Sequence, residues 1–485
     1  MAEDSLKKKT LSGLFWAFAE RIGAQLVNFV VSIVLARILM PEEYGVIGIV
    51  LVFVNLCNVF VDSGFGRALV QKKDADDLDF SSAFYMGLAM SVVLYAILFW
   101  TAPWIARLYE MPILSPVIRV MGLRLIVAAY NSIQKAKVSR EMQFRRFFFS
   151  TLGGTMFSAV VGIALAWMGC GVWALVAQEL TNVAIDTAIL SLTIRWRPRL
   201  AFSLQRMKTL FSYGWKVLVA SLVDALYQDF RSLYIGKLYT ADDLAYYTRG
   251  RQFPNLLVDN VNVSISNVLF PAISSCQDDM AEVKRMTRRA MKTSAYIISP
   301  MMFGLAAVAE PLVVLLLTEK WLPCVPFLQI LCINNALMPL QSANVQALYA
   351  VGRSDIVLRL NVIKKTFGFL MVLVFARISV RAMAWAGVGT GFFCLLVNAW
   401  PNKKLLQYGI WEQLKDVVPC WLLSGAMMLM VLSVSLLGLP ELPELVVMIL
   451  VGVSGYLLLS VIFRVESFTY TWNLIRPILA KLKRK

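Results

Sequence analysis

Polar and apolar positions along this chain fall in long blocks, with greasy runs of membrane-spanning length broken by short polar turns. About 20 apolar residues rising 1.5 Å each cross a bilayer core as a helix. On that measure the sequence predicts fourteen helices, near 12–38, 44–62, 81–102, 113–134, 147–168, 171–194, 210–238, 244–269, 292–317, 325–350, 361–378, 383–401, 417–438 and 445–464. The runs at 210–238 and 244–269 stand apart, because together they carry Lys216, Asp224, Asp229, Arg231, Arg249, Arg251 and Asp259. A charge at mid-membrane costs roughly 2.5–3.5 kcal/mol, so each is expected to face a partner or a wet cavity. At 100° per residue, Lys216, Asp224, Tyr227 and Arg231 share one face of the first helix. Arg251, Gln252, Asn255, Asp259, Asn262 and Ser266 form a stripe on the second, while Leu218, Leu222, Leu226 and Leu233 line the far side of the first. This pattern predicts a polar cavity inside a membrane bundle. The alternative reading of the same stripes is a set of structural ion pairs between helices.

Other helices carry narrower stripes. The first presents Arg21, Gln25, Asn28 and Ser32, and the second Asn55, Asn58 and Asp62. The fourth offers Arg124, Asn131 and Lys135, with Arg119 on its other flank, and the sixth adds Gln178, Glu179, Asn182 and Asp186. Amides alone read equally well as glue between helices. Arginines set well inside helices (Arg21, Arg124, Arg249 and Arg251) point to a ligand, because guanidinium is a planar fork suited to phosphate. Pro254, between Arg251 and Asn255, removes a backbone hydrogen bond and is expected to bend its helix, as a hinge or as a static kink.

The chain also repeats itself. Shifted by 200 residues, Asn28 falls on Gln228, Arg37 on Lys237, Glu42-Glu43 on Asp242-Asp243, Asn55 on Asn255 and Asp62 on Asn262. At a shift of 210, Arg119 meets Gln329, Arg124 meets Asn334, Asn131 meets Gln341 and Gln134 meets Asn344. Six helices per repeat is an even number, so both halves enter the membrane from one side, related by an axis along its normal with a site between them. The expected architecture is an all-α integral membrane protein of about 14 helices. Its parts are a six-helix lobe over 1–209, a second over 210–410, and two further helices with a basic tail over 411–485.

Composition agrees with that class. At 59% hydrophobic and 16% charged, with mean hydropathy +0.68, the chain is too apolar for a soluble protein. Its net charge of +17 suggests nucleic acid only until the charges are placed. With both termini cytoplasmic, 34 of the 47 Lys and Arg fall on the cytoplasmic side and six on the other. That asymmetry is the positive-inside rule, and it accounts for the basic pI without nucleic acid. The seven cysteines are scattered, with no metal-site spacing, and read as buried thiols. The chain has no histidine, so any proton chemistry falls to carboxylates, Tyr or Lys. The run after Lys7-Lys8-Lys9 is too long for a cleavable signal peptide and is read as the first membrane helix. Outer loops such as Met40-Pro41-Glu42-Glu43 are too short to build an extracytoplasmic domain. No metal or cofactor is called for.

Four segments carry a family resemblance: Ala36-Arg-Ile-Leu-Met-Pro-Glu-Glu-Tyr-Gly45, Asp62-Ser-Gly-Phe-Gly-Arg-Ala-Leu-Val-Gln71, Tyr246-Tyr-Thr-Arg-Gly-Arg-Gln-Phe-Pro-Asn255 and Val268-Leu-Phe-Pro-Ala-Ile-Ser274. They resemble the polysaccharide transporters of the multidrug/oligosaccharidyl-lipid/polysaccharide exporter superfamily, most closely the Wzx-type flippases. The resemblance implies translocation of an undecaprenyl-pyrophosphate-linked oligosaccharide to the outer leaflet of a bacterial cytoplasmic membrane, by alternating access and with a cationic lumen. Arg249 and Arg251 lie inside a matched segment and take a lipid-pyrophosphate role from it, while Arg21 and Arg124 join them on placement alone. Asp224 and Asp259 are the candidates for coupling to a Na⁺ or H⁺ gradient or to the membrane potential, with Lys216, Arg231, Asp62 and Asn255 as cavity polar groups. The expected partners are the lipid-linked oligosaccharide, membrane lipids, a polysaccharide polymerase and a chain-length regulator, with the chain itself a monomer. The rival readings are a lipid II flippase, a multidrug/cation antiporter of the same superfamily, and a membrane polysaccharide polymerase or glycosyltransferase. The excess of Arg and Lys in the stripes disfavours the antiporter, and the short outer loops and absent histidine disfavour the enzyme.

Overall fold

Each long apolar run folds as helix. The computed structural model describes residues 2–469 except 64, 65, 73 and 195, and side chains among them apart from those of 2–11, 14, 63, 67, 71, 209, 210, 212, 213, 216 and 268. The elements are α1 (Ala2–Ile38), α2 (Pro41–Ser63), α3 (Gly66–Gln71), α4 (Asp77–Leu108), α5 (Leu114–Arg140), α6 (Phe144–Trp167), α7 (Val172–Thr193), α8 (Leu204–Leu238) and α9 (Ala241–Ser274). They continue with α10 (Met280–Ala307), α11 (Ala309–Leu317), α12 (Val325–Asn335), α13 (Met338–Ala350), α14 (Ser354–Phe375), α15 (Val380–Leu405), α16 (Ile410–Val434) and α17 (Glu441–Ile462). No strand occurs among the described residues. Among the described residues, eleven spans are long and apolar enough to cross a membrane, or twelve with α10 and α11 taken as one span bent by 68°. The protein is a multi-pass, all-α membrane protein.

Two of the fourteen expected helices, α8 and α14, fall outside that apolar set. Each is interrupted by charge: Asp224, Asp229 and Arg231 in α8, and Arg359, Lys364 and Lys365 in α14. The run expected as one helix over 292–317 breaks at Val308 into α10 and α11. Pro311 sits in the first turn of α11, where its missing N–H costs nothing. The run at 325–350 is interrupted between α12 and α13, with Pro339 in the first turn of α13, yet the two lie within one span, Glu319–Ala350. Across Pro254, by contrast, α9 continues as a single helix.

The chain divides into two compact units, Met1–Ala245 and Tyr246–Lys485. In the first, α6 packs along α1 and α7, α5 along α4 and α7, and α2 against α5 and α8. In the second, α10 packs against α12, α13 and α16, α14 lies along α15, and α16 along α17. The first unit takes in α8, which the internal repeat places in the lobe over 210–410. Packing draws this division, whereas sequence similarity draws the expected boundary after 209.

Helix ends repeat as the residues do. Ile38 and Leu238 close α1 and α8, and Pro41 and Ala241 open α2 and α9, both at a shift of 200. Arg140 and Ala350 close α5 and α13 at a shift of 210, and in each case the chain then turns through a left-handed residue, Met142 (φ 55) or Gly352 (φ 75). The acidic turns match as well. Glu43 accepts from the Met40 N–H at 2.7 Å, and Asp243 accepts from the Thr240 N–H at 3.3 Å while its own N–H donates to Thr240 Oγ1. Each carboxylate satisfies a backbone donor left open at a helix N-terminus.

Two local features make testable demands. Gly45, in the first turns of α2, passes so close to α9 that a Cβ there would lie 1.9 Å from the Ala241 carbonyl oxygen. Gly45→Ala is therefore expected to cost about 1–3 kcal/mol, read as a lower thermal midpoint in detergent, because backbone must move to make room. An unchanged midpoint would contradict that approach. At the start of α4, Asp76 and Asp79 each accept the other's backbone N–H, at 2.9 and 3.2 Å, in a capping box. The bond from the Asp79 N–H, followed by the nearby Arg206 and Lys72, holds the Asp76 carboxyl below its ordinary value. A depressed carboxylate stabilises the fold above its unfolded pKa and stops doing so as pH falls through the folded one. Asp76→Ala is expected to cost about 1 kcal/mol near neutrality, with the difference from wild type shrinking below about pH 4. A difference independent of pH would show that the carboxylate charge has no part in the cap.

Candidate functional site

Within the first unit, α1, α2, α3, α5, α6 and α7 enclose a polar cavity of about 680 Å³. Its wall brings together groups that the stripes placed on separate helices. Asn58 and Asp62 come from α2, Arg124, Asn131 and Lys135 from α5, and Asn182 and Asp186 from α7, with Glu20 and Thr151 completing the ring. Spacing explains why α5 supplies three: positions 124, 128, 131 and 135 follow one another at i, i+4, i+7 and i+11 down one face.

The polar groups are tied to each other across helices. Arg124 Nη1 donates to Glu179 Oε2 at 2.8 Å. Asn131 Nδ2 donates to Asp186 Oδ2 at 2.7 Å, and Lys135 Nζ reaches the same oxygen at 3.0 Å. Thr151 donates its hydroxyl to Glu20 at 2.9 Å, joining α6 to α1. These contacts leave work undone. Arg124 Nε, Asn58 Oδ1, Asn131 Oδ1 and Asp186 Oδ1 are buried without a protein hydrogen-bond partner. One guanidinium donor and three acceptors are thus left unmatched and closed off from solvent, and such atoms are costly to bury. Glu20, Asp62 and Asp186 set against Arg124 and Lys135 give the wall three carboxylates to two cations, in place of the cationic lining the resemblance implies.

The other expected site residues lie elsewhere. Arg21, next to Glu20, is exposed and outside the cavity wall. Arg249 is 7% exposed inside the second unit, where it donates to Gln252 Oε1 at 2.6 Å and lies over the Trp321 ring at 5.4 Å. Gly250 allows this, because a Cβ there would meet Phe327 Cβ at 2.7 Å and the Cys324 carbonyl at 2.9 Å, so α9 lies against α12. Arg251 and Arg231 are half-buried, Asp224 and Asp259 exposed, and Asn255 accepts from Asn335 at 3.0 Å. Lys216 lies outside the residues whose side chains are described. Among the described residues, no three His, Cys, Asp or Glu side chains are grouped to hold a metal ion.

Glu20 and Thr151 escaped the sequence reading, because Glu20 adjoins the more prominent Arg21 and threonine is common in membrane helices. Glu179 and Asp186 were visible as a stripe, but nothing in a single helix names the partner across the gap. The Arg124–Glu179 pair is expected to show a coupling energy of about 0.5–3 kcal/mol in a double-mutant cycle of thermal unfolding with R124A and E179A. Additive losses would mean that it does not brace α5 to α7.

The succinoglycan biosynthesis transport protein ExoT of Rhizobium meliloti (strain 1021) is 25% identical over 341 residues, 70% of this chain and 69% of that protein. The lipopolysaccharide biosynthesis protein WzxC of Escherichia coli (strain K12) is 24% identical over 400 residues, covering 81% of this chain and 80% of its own. The teichuronic acid biosynthesis protein TuaB of Bacillus subtilis (strain 168) is 22% identical over 439 residues, 89% of this chain and 90% of that one. Among solved structures, the lipid II flippase MurJ in an inward closed conformation superposes with a TM-score of 0.75 at 15% identity, over 93% of this chain and 98% of that one. An inward-facing multidrug resistance MATE family transporter of the MOP superfamily follows at 0.61, 14% identical, covering 81% of this chain and 98% of its own. Likeness at that identity shows a shared fold, the one expected from the sequence resemblance. Of these, ExoT is named for transport and MurJ as a flippase, while WzxC and TuaB are named for the biosynthesis of lipopolysaccharide and of teichuronic acid. Residues 34–326, more than half of the chain, match the family described as "Polysaccharide biosynthesis protein", and the chain belongs to that family.

Proposed function

We propose that this protein is a flippase that carries lipid-linked oligosaccharide repeat units across the bacterial cytoplasmic membrane for surface polysaccharide assembly, with both termini in the cytoplasm. The lipid carrier is undecaprenyl pyrophosphate. Family membership and the relatives' roles in polysaccharide assembly support the reading. One observation carries it: the charge in the first unit exceeds what holding the helices together requires. At the second-unit positions aligned with Asn131 and Gln134, themselves amides, Gln341 donates to the Gly391 carbonyl at 3.1 Å, and Asn344 accepts from Asn402 at 2.7 Å. Asn334, the residue aligned with Arg124, also lies against Gly391. Neutral amides therefore brace the fourth helix of a repeat to its sixth. The first unit places Arg124 and Lys135 at that junction, on a cavity of about 680 Å³, roomy enough for a diphosphate and the sugars beside it.

In this mechanism Arg124 and Lys135 exchange Glu179 and Asp186 for the substrate's diphosphate, whose planar-fork and point-charge contacts they match. Asn58 Oδ1, Asn131 Oδ1 and Asp186 Oδ1, closed off from solvent in this structure, take sugar hydroxyls only once the wall opens, while the polyprenyl chain stays in lipid. Alternating access then exposes the head group to the other side. Arg249 and Arg251, in a segment matched to the family, keep a lipid-pyrophosphate role of their own, which Arg249 takes up only once its packing on Trp321 opens. Asp224 and Asp259 couple the cycle to a Na⁺ or H⁺ gradient or to the membrane potential.

The experiment is complementation of a strain lacking its own flippase, with surface polysaccharide measured beside membrane levels of the protein. Arg124→Gln with Lys135→Gln is expected to reduce display at least about tenfold, and R249A with R251A likewise, with the protein still in the membrane. Full display by the first pair would overturn the role of the cavity. Rescue of cells depleted of their essential lipid II flippase would move the substrate to the peptidoglycan precursor.

A further inference from the structure

The cavity of the first unit holds more carboxylate than its two cations balance. Arg124 answers Glu179, and Lys135 answers Asp186. Glu20, on the same wall, is met by a hydroxyl instead. Thr151 Oγ1 donates to its Oε1 at 2.9 Å, and among the described residues no Lys or Arg forms an ion pair with it. Its neighbours explain why. Glu20 lies in α1 one turn after Trp16, and α1 packs along α6. The cations of α6 are Arg145 and Arg146, and both are occupied elsewhere. Arg145 lies over the rings of Trp16 and Phe149 at 5.4 and 5.6 Å, and Arg146 donates to the Thr193 carbonyl at 2.6 Å. On α1 itself Arg21 is the next residue, turned about 100° away. Across the cavity stand Asp62 of α2 and the paired groups of α5 and α7.

The position is a demanding one for a carboxylate. The apolar span of α1 begins at Phe15, which puts Glu20 about 8 Å inside it, where a charge needs a partner or water. Entry of a diphosphate sharpens the demand. Arg124 and Lys135 then turn from Glu179 and Asp186 to the substrate, so the same two cations face more negative charge than before. A carboxylate without a cation of its own is the wall group least able to stay charged beside that anion. A proton resolves the conflict without rebuilding the wall. Neutral Glu20 still accepts the Thr151 hydroxyl on one oxygen, and its new O–H becomes a donor that a phosphate oxygen accepts.

We propose, resting on the transport reading, that Glu20 takes up one proton from water as the lipid diphosphate binds, so that the loaded carrier holds one proton more than the empty one. The linkage is reciprocal: the diphosphate draws the proton, and acid strengthens diphosphate binding. With its added proton the head group is still an anion, which a membrane potential negative inside drives outward. Glu20 thus decides in which protonation state the first unit accepts its substrate.

The test titrates undecaprenyl pyrophosphate into the full chain in detergent, with EDTA present, as pH is raised. Relative to Glu20→Gln, wild-type affinity is expected to fall by up to about tenfold per pH unit, the slope of one linked proton. The two proteins should bind alike in acid, Glu20→Gln should bind more tightly in alkali, and Glu20→Asp should keep the wild-type slope. Protonation of the lipid itself is common to all three and cancels. In the wild type alone, infrared difference spectra on binding should show a protonated carboxyl band appear as a carboxylate band is lost, a readout that needs no variant to fold. Parallel pH profiles for wild type and folded Glu20→Gln, no carboxyl band on binding, or a slope difference that appears only when magnesium ions replace EDTA would each overturn the proposal while leaving the transport reading in place. Failure of the wild type to bind the diphosphate at any pH would overturn both.

Discussion

A cation enclosed by helices in place of water must keep a counter-charge within reach, and the first unit is arranged by that requirement. The Arg124–Glu179 contact at 2.8 Å and the Asn131–Asp186–Lys135 cluster at 2.7 and 3.0 Å fix α5 to α7. Such pairs add little net stability, since desolvation offsets most of their attraction, but removing one partner leaves a costly lone charge. The pairs therefore specify how the helices sit more than they strengthen the bundle. The same property suits a carrier. A cation held by an exchangeable carboxylate accepts a passing anion without ever standing uncompensated.

The internal repeat separates bracing from ligand chemistry. Gln341 and Asn344 in the second unit hold α13 to α15 with neutral hydrogen bonds, at positions aligned with Asn131 and Gln134 of the first. Arg119 and its counterpart Gln329 also do one job, each donating to a carbonyl of an earlier helix, at Phe99 of α4 and Ala306 of α10. The duplicated scaffold thus takes either charge or amide at Arg119/Gln329 and at Arg124/Asn334, and charge at Arg124 calls for an explanation beyond packing.

Much of the fold was legible in the sequence because hydrophobic length and helix-terminal chemistry are local properties. The matched ends at Ile38 and Leu238, and the acidic caps at Glu43 and Asp243, are written in adjacent residues. The break at Val308 was not anticipated, because the apolar pattern runs straight through it and only Pro311 marks it. Site residues were legible as faces but not as partners. Arg124 and Glu179 lie 55 residues apart, and helical periodicity says which side each occupies, not what faces it. Arg249 shows the same limit: its setting is fixed by Trp321 and by the close approach that Gly250 allows, neither of which a stripe on one helix reveals.

The claim at the centre is that Glu179 competes with a lipid diphosphate for Arg124. Binding of undecaprenyl pyrophosphate to purified wild-type and Glu179→Gln proteins, against undecaprenol as the uncharged control, addresses it most directly. Removing the competing carboxylate should tighten diphosphate binding by about tenfold, equivalent to about 1.4 kcal/mol, and leave undecaprenol unaffected. Weaker or unchanged diphosphate binding in the variant would contradict the exchange and return the Arg124–Glu179 pair to a purely structural role.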